Sequence, residues 1–154
     1  MKRRILGWPW DRPATVFGGL TFGGGPIGNY MSHAVVAMTG KLRAAGGNVE
    51  IFKIDVKEKA ACAALIAATV DRFGGIDVII HCAADIPHGG LGQVSDEALE
   101  AGIASTAKAA WWLLEAGRPY LAKAKDGGRF IAIGSVNGPV TIVPNMTAYA
   151  MAKS

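Results

Sequence analysis

Thiols are scarce in this chain: its 154 residues include only two cysteines, Cys62 and Cys82, set in separate apolar stretches without framework spacing. A disulfide-stapled scaffold is therefore excluded, and reduced thiols in a cytoplasmic setting are the expected state. His33, His81 and His88 make no metal-ligand pattern with those cysteines, so no metal is expected. No uninterrupted apolar run is long enough to cross a bilayer, and Trp8-Pro9-Trp10-Asp11 breaks the amino-terminal stretch before a signal-peptide core can develop. Charge is also sparse. The net balance is +4, and the one dense basic cluster, Lys2-Arg3-Arg4, lies at a terminus. Without a basic stripe interleaved with aromatics, neither nucleic acid nor a membrane is an expected partner.

What is present is globular: hydrophobic residues make up 51% of a chain long enough for one substantial core. From about Leu42 onward, strand-like and helix-like patterns alternate. Val49 to Ile54 reads as a strand ending at Asp55. Lys57 to Phe73 reads as a helix, with Cys62, Leu65, Ile66, Thr69 and Phe73 on one face and Gly74-Gly75 as its stop. Ile76 to Ile80 is a second strand. Ser95 caps a long helix that carries Asp96 and Glu97 at its positive end and repeats Leu99, Ile103, Ala107, Ala110 and Leu114 along its face. Lys125-Asp126-Gly127-Gly128 then releases a third strand, Arg129 to Ile133. Strands separated by helices imply parallel crossovers in a layered α/β sheet, whose ligands bind beyond the carboxyl ends of the strands. Asp55, His81 to Ala84, and Ser135 fall at those ends.

Tyr149-Ala150-Met151-Ala152-Lys153 adds chemistry. A tyrosine and a lysine at i and i+4 leave one helical face, so a fixed ammonium can stabilise a phenolate and suit Tyr149 to proton transfer. Ser135, just after a buried strand, can polarise a carbonyl beside it. A TyrxxxLys pair alone more often just solvates a helix; the three strand ends give this one its weight.

Taken together, residues 44–154 resemble the middle of a short-chain dehydrogenase/reductase. Asp55-Val56 resembles the family's adenine-contacting pair, and Arg72 to Val78 its approach to the central strand. His81-Cys82-Ala83-Ala84 stands where the family usually has Asn-Asn-Ala-Gly. Ser135, Tyr149 and Lys153 match its catalytic serine, tyrosine and lysine in order. The resemblance implies a partial Rossmann-like parallel sheet flanked by helices, with NAD or NADP as cofactor and a small carbonyl or alcohol as substrate. It assigns Ser135, Tyr149 and Lys153 to catalysis and Asp55, Val56, Ala83, Ala84, Tyr149 and Lys153 to the cofactor. It also implies a homo-oligomer through the long helix around Trp111. Two departures stand out: Thr106 occupies the place of the family's catalytic asparagine, and the sequence stops one residue after Lys153. A truncated, weak or inactive oxidoreductase is the expectation.

The amino end reads two ways. Gly19, Gly23 and Gly25 fit the GlyxxxGlyxGly spacing of a dinucleotide turn, but only one helix and one strand fit between that turn and Asp55. Arg12 to Ala34, continuing to about Leu42, resembles instead a carboxy-terminal segment of thiolase-like acetyl-CoA acetyltransferases, with Gly25 where those enzymes carry a catalytic histidine. The expected organisation is a thiolase-like segment over residues 1–43 fused to an incomplete dehydrogenase domain over 44–154, with no competent dinucleotide turn. A non-catalytic fragment and a thiolase-like acyl-CoA-binding module remain open. Asp55 is divided between helix cap and adenine contact, Cys82 is expected to pack in the core, and His81 to be a satisfied strand-end residue.

Overall fold

The computed structural model describes residues 38–141 and 143–154, which divide after Ile51 into two units. Gly19, Gly23, Gly25 and most of the thiolase-like stretch lie outside the described residues. In the first unit, residues 38–44 are helical. Gly46 ends them at φ 79°, and the Gly46 and Gly47 N–H groups return to the Arg43 and Leu42 carbonyls at 3.0 and 2.8 Å. That pairing satisfies two carbonyls the helix end leaves open.

The second unit contains α1 (Lys59–Phe73), β1 (Val78–His81), α2 (Asp96–Ile103), a π-helical turn (Ala104–Lys108), α3 (Ala109–Leu121), β2 (Arg129–Ala132) and α4 (Thr147–Lys153). β1 and β2 pair in parallel, from Val78 opposite Arg129 to His81 opposite Ala132. The α/β class and two of the three expected strands are present. Residues 49–54 are not a strand: the sheet of the described residues has two members, and Ile51 stays 68% exposed. An alternating apolar run becomes a strand only where a neighbouring edge takes its backbone groups.

The helices follow from local chemistry. Gly74, at φ 83°, stops α1 and donates its N–H to the Val70 carbonyl. The Ser95 hydroxyl caps α2 by accepting from the Ala98 N–H at 3.3 Å. The Glu97 carboxyl is held below its usual range by its own backbone N–H and by the Ser95 hydroxyl.

Cys62 and Ile66 of α1, Ile76, Ile79 of β1, and Leu113 and Leu121 of α3 form the core. The buried face of the long helix differs from the expected one. Gly102, Ser105, Thr106, Ala109, Leu113, Gly117 and Leu121 point inward, whereas Ala107 is exposed. The π turn inserts a residue into the helical period and rotates everything beyond it, and small residues bring the helix close to the sheet. A Cβ on Gly117 would run into Ile79 Cδ1. Phe73, expected on the inner face of α1, is 44% exposed. Trp112 packs against the core while its neighbour Trp111 is 68% exposed.

Candidate active site

The carboxyl ends of β1 and β2 carry the candidate site. Burial alternates along β1, with Ile79 and His81 inward. His81 is 4% exposed, and its Nε2 lies 2.9 Å from the Thr106 carbonyl in the π turn. Because a carbonyl only accepts, Nε2 carries the hydrogen and the ring is tied as a donor. Burial, with Lys153 nearby, depresses the His81 pKa below its ordinary value, while bonds to the Thr106 and Ser105 carbonyls partly oppose that shift. His81 is thus a satisfied strand-end residue. Cys82, expected in the core, is exposed, since the period of two that turns His81 inward turns its successor outward. Cys62 is the packed thiol, and burial pushes its pKa up.

Beyond β2 the chain turns at Ser135, whose hydroxyl oxygen accepts the Asn137 N–H at 3.1 Å. That bond leaves the hydroxyl hydrogen free to donate. Asn137 is 5% exposed. Its Oδ1 accepts the Val143 N–H at 3.1 Å, which closes the loop toward α4, and its Nδ2 is buried without a partner. The sequence reading did not single out Asn137, although a polar residue two places after a strand-end serine is a turn signal.

α4 is anchored at both ends. At its start, the Gly89 N–H donates to the Asn145 carbonyl at 2.8 Å, and Gly89 bridges Met146. At its end, Lys153 Nζ donates to the Ile133 carbonyl at 2.6 Å, and Gly138 packs against Ala150 and Ser154. Tyr149 and Lys153 therefore share a helical face beside the strand ends, with the Ser135 turn following Ile133 and Gly134. A cavity of about 190 Å³, walled by His81, Thr106, Ile133, Gly134 and Lys153, opens there. A larger one, about 280 Å³, touches Thr147, Ala148 and Met151; those positions lie on the other side of α4 from Tyr149 and Lys153.

Asp55 and Val56 precede α1. Both oxygens of the Asp55 carboxylate meet Lys57: Oδ1 accepts its N–H at 3.0 Å and Oδ2 lies 3.2 Å from its Nζ. The Lys57 N–H and ammonium hold the Asp55 pKa below the usual carboxylate range, and Asp55 with Asp85 raises that of Lys57. The Lys57 ammonium also reaches Asp85 at 3.5 Å, and the Asp85 N–H donates to Ser105 Oγ at 2.9 Å. The turn before α1, the loop after β1 and the π turn are joined in this way. The sequence reading did not single out Lys57; its signal was a cation two residues after Asp55. Val56 packs partly against the core, while Ala83 is exposed and Ala84 half-buried. Among the described residues, no cluster of His, Cys, Asp and Glu could hold a metal ion, and no helix is long and apolar enough to cross a membrane.

A Tyr–Lys helix thus lies beside the carboxyl ends of parallel strands in an α/β domain, with a serine in the turn between. The family model described as enoyl-(acyl carrier protein) reductase matches residues 25–154, and the chain belongs to the short-chain dehydrogenase/reductase family. It is 28% identical over 124 residues to the oxidoreductase UcpA of Salmonella typhimurium, covering 80% of this chain and 47% of that protein. It is 32% identical over 114 residues to a 2,5-dichloro-2,5-cyclohexadiene-1,4-diol dehydrogenase of Sphingobium indicum, covering 74% and 44%. Among solved structures, an NADH-dependent reductase complexed with NAD superposes with a TM-score of 0.69 at 28% identity, over 77% of this chain and 51% of that one. A short-chain dehydrogenase/reductase from Serratia marcescens gives 0.67 at 25%, over 83% and 49%. The chain spans about half the length of the relatives it matches. These matches do not bear on the thiolase-like resemblance, and the family match begins at residue 25, inside the 1–43 segment.

Proposed function

We propose that this chain carries the proton-transfer half of an NAD(P)-dependent oxidoreductase site acting on a small carbonyl or alcohol. The observation that carries this reading is the placement of α4: Lys153 is fixed on the Ile133 carbonyl at the end of β2, one helical turn from Tyr149. Tyr149 gives a proton to the substrate oxygen or takes one from it, and the Lys153 ammonium stabilises the phenolate charge. Ser135 donates its free hydroxyl hydrogen to the same oxygen.

The residues present fit a nicotinamide dinucleotide. Ala83 and Ala84 line the strand end without bulk, Asp55 is held ionised as an acceptor for an adenine amino group, and Lys153 keeps donors beyond the one spent on Ile133. When bound, the cofactor supplies or removes the hydride. Asp55, Val56, Ala83 and Ala84 would hold its adenosine side, and Tyr149 and Lys153 its nicotinamide ribose. Thr106, standing where the family has asparagine, has its carbonyl engaged by His81 and its hydroxyl buried without a partner. With orientation supplying much of the rate of such a site, turnover of this chain is weak. The test is NADH or NADPH oxidation with a panel of carbonyl substrates: slow turnover that disappears in Tyr149→Phe supports the reading, and turnover indifferent to that change overturns it.

Further assignments rest on the same basis. The 68% exposed Trp111 on α3 favours a homo-oligomer through that helix, and Trp111→Glu should then shift sedimentation toward monomer. Two free cysteines, one of them exposed, favour a reducing, cytoplasmic setting. Residues 1–43 are proposed as a thiolase-like segment and 44–154 as the dehydrogenase domain; coenzyme A binding would favour the acyl-CoA-module alternative.

A further inference from the structure

We propose that His81 is a positioning residue for Lys153, an inference that rests on the proton-transfer reading of α4. Three hydrogen bonds form one line across the strand ends. Lys153 Nζ donates to the Ile133 carbonyl at 2.6 Å, the N–H of the same Ile133 donates to the His81 carbonyl at 2.9 Å, and His81 Nε2 meets the Thr106 carbonyl at 2.9 Å. Ile133 is thus held through both its carbonyl and its N–H.

The end of this line is firm because His81 is fixed twice. Its backbone sits in the β1–β2 ladder, and its ring, 4% exposed, is buried against the π turn. That turn is offset from the ordinary helical ladder, the Ala109 N–H reaching back to Ala104, and the His81 ring secures the Thr106 carbonyl within it. His81, Thr106, Ile133 and Lys153 wall the same cavity of about 190 Å³. Loss of the ring donor therefore lets the end of β1 shift, and Ile133 and the lysine shift with it. His81 touches no reacting atom; it acts through Lys153.

Trace acylation of amines, read lysine by lysine by mass spectrometry, measures how firmly Lys153 is held. His81→Leu fills most of the ring volume without a donor, whereas His81→Asn keeps a side-chain N–H. We expect Lys153 labelling to rise about fivefold in His81→Leu, the population change one net hydrogen bond supports. Lys59 and Lys108, ion-paired on the surface with Glu115 and Glu100, should stay unchanged, and His81→Asn should restore most of the protection. Unchanged Lys153 labelling in His81→Leu, or equal rises at all three lysines, overturns the proposal. Should His81→Leu fail to fold, the wild-type ring decides: long-range 1H–15N correlation should show a neutral Nε2–H tautomer whose proton exchanges slowly. An Nδ1–H tautomer or a rapidly exchanging proton overturns it. Protection of Lys153 by NADH is a separate measurement. Its absence beside the expected labelling pattern removes the oxidoreductase reading and leaves the positioning role standing.

Discussion

Burial decides which protonation state His81 keeps, and the consequence is a dependence of stability on pH. Its pKa in the fold is depressed below the ordinary value of 6.5, so the native state binds fewer protons at this site than the unfolded chain. The stability it contributes is complete above the unfolded value and is lost as pH falls through the folded one. Urea midpoints measured at pH 7.5 and 5.5 should therefore drop more in wild type than in His81→Asn, which has no ring to protonate; equal drops would contradict this. The histidine at a strand end was legible in the sequence, and so was its satisfied state. The exposure of Cys82 was not, because apolar neighbours in sequence say nothing about which side of a strand a residue leaves. Lys57 and Asn137 escaped for a similar reason: their partners, Asp85 and Val143, are defined by loops that no periodicity encodes.

At the scale of elements, the stops and caps were the most readable features, since each is written in one or two residues. Gly74 ends α1 as expected, and Ser95 starts α2. Ser95→Ala should cost ~0.5–2 kcal/mol in urea unfolding through loss of the bond to the Ala98 N–H, and no change would show the cap to be redundant. The inward face of the long helix was misread because the π turn at Ala104–Lys108 has no propensity signature, and one extra residue rotates the following stripe by about 100°. Gly128 is a different kind of position. Its N–H donates to the Leu121 carbonyl at 3.1 Å, and a Cβ there would press on the Leu121 backbone. Because backbone cannot swing aside as a side-chain tip can, Gly128→Ala should destabilise by ~1–3 kcal/mol or more. A neutral result would mean that the turn from α3 into β2 is looser than drawn.

For the molecule as a whole, family and class were legible because the Ser135, Tyr149 and Lys153 constellation is distributed along the chain in order, and strand ends in parallel sheets gather such residues. Residues 49–54 were not legible as the non-strand they form, since pairing depends on a neighbour that a local pattern does not name. The chain covers about half of its relatives' length, 47% of the Salmonella oxidoreductase, so the extent of its site is settled by binding rather than by likeness. The most direct test is an NMR titration of the intact chain with NADH and, separately, coenzyme A. Weak NADH binding, with shifts concentrated at Asp55, Ala83, Ala84, Tyr149 and Lys153, is the result we predict. No response at those five residues, or a response there to coenzyme A alone, would contradict the assignment of this crevice to a nicotinamide dinucleotide.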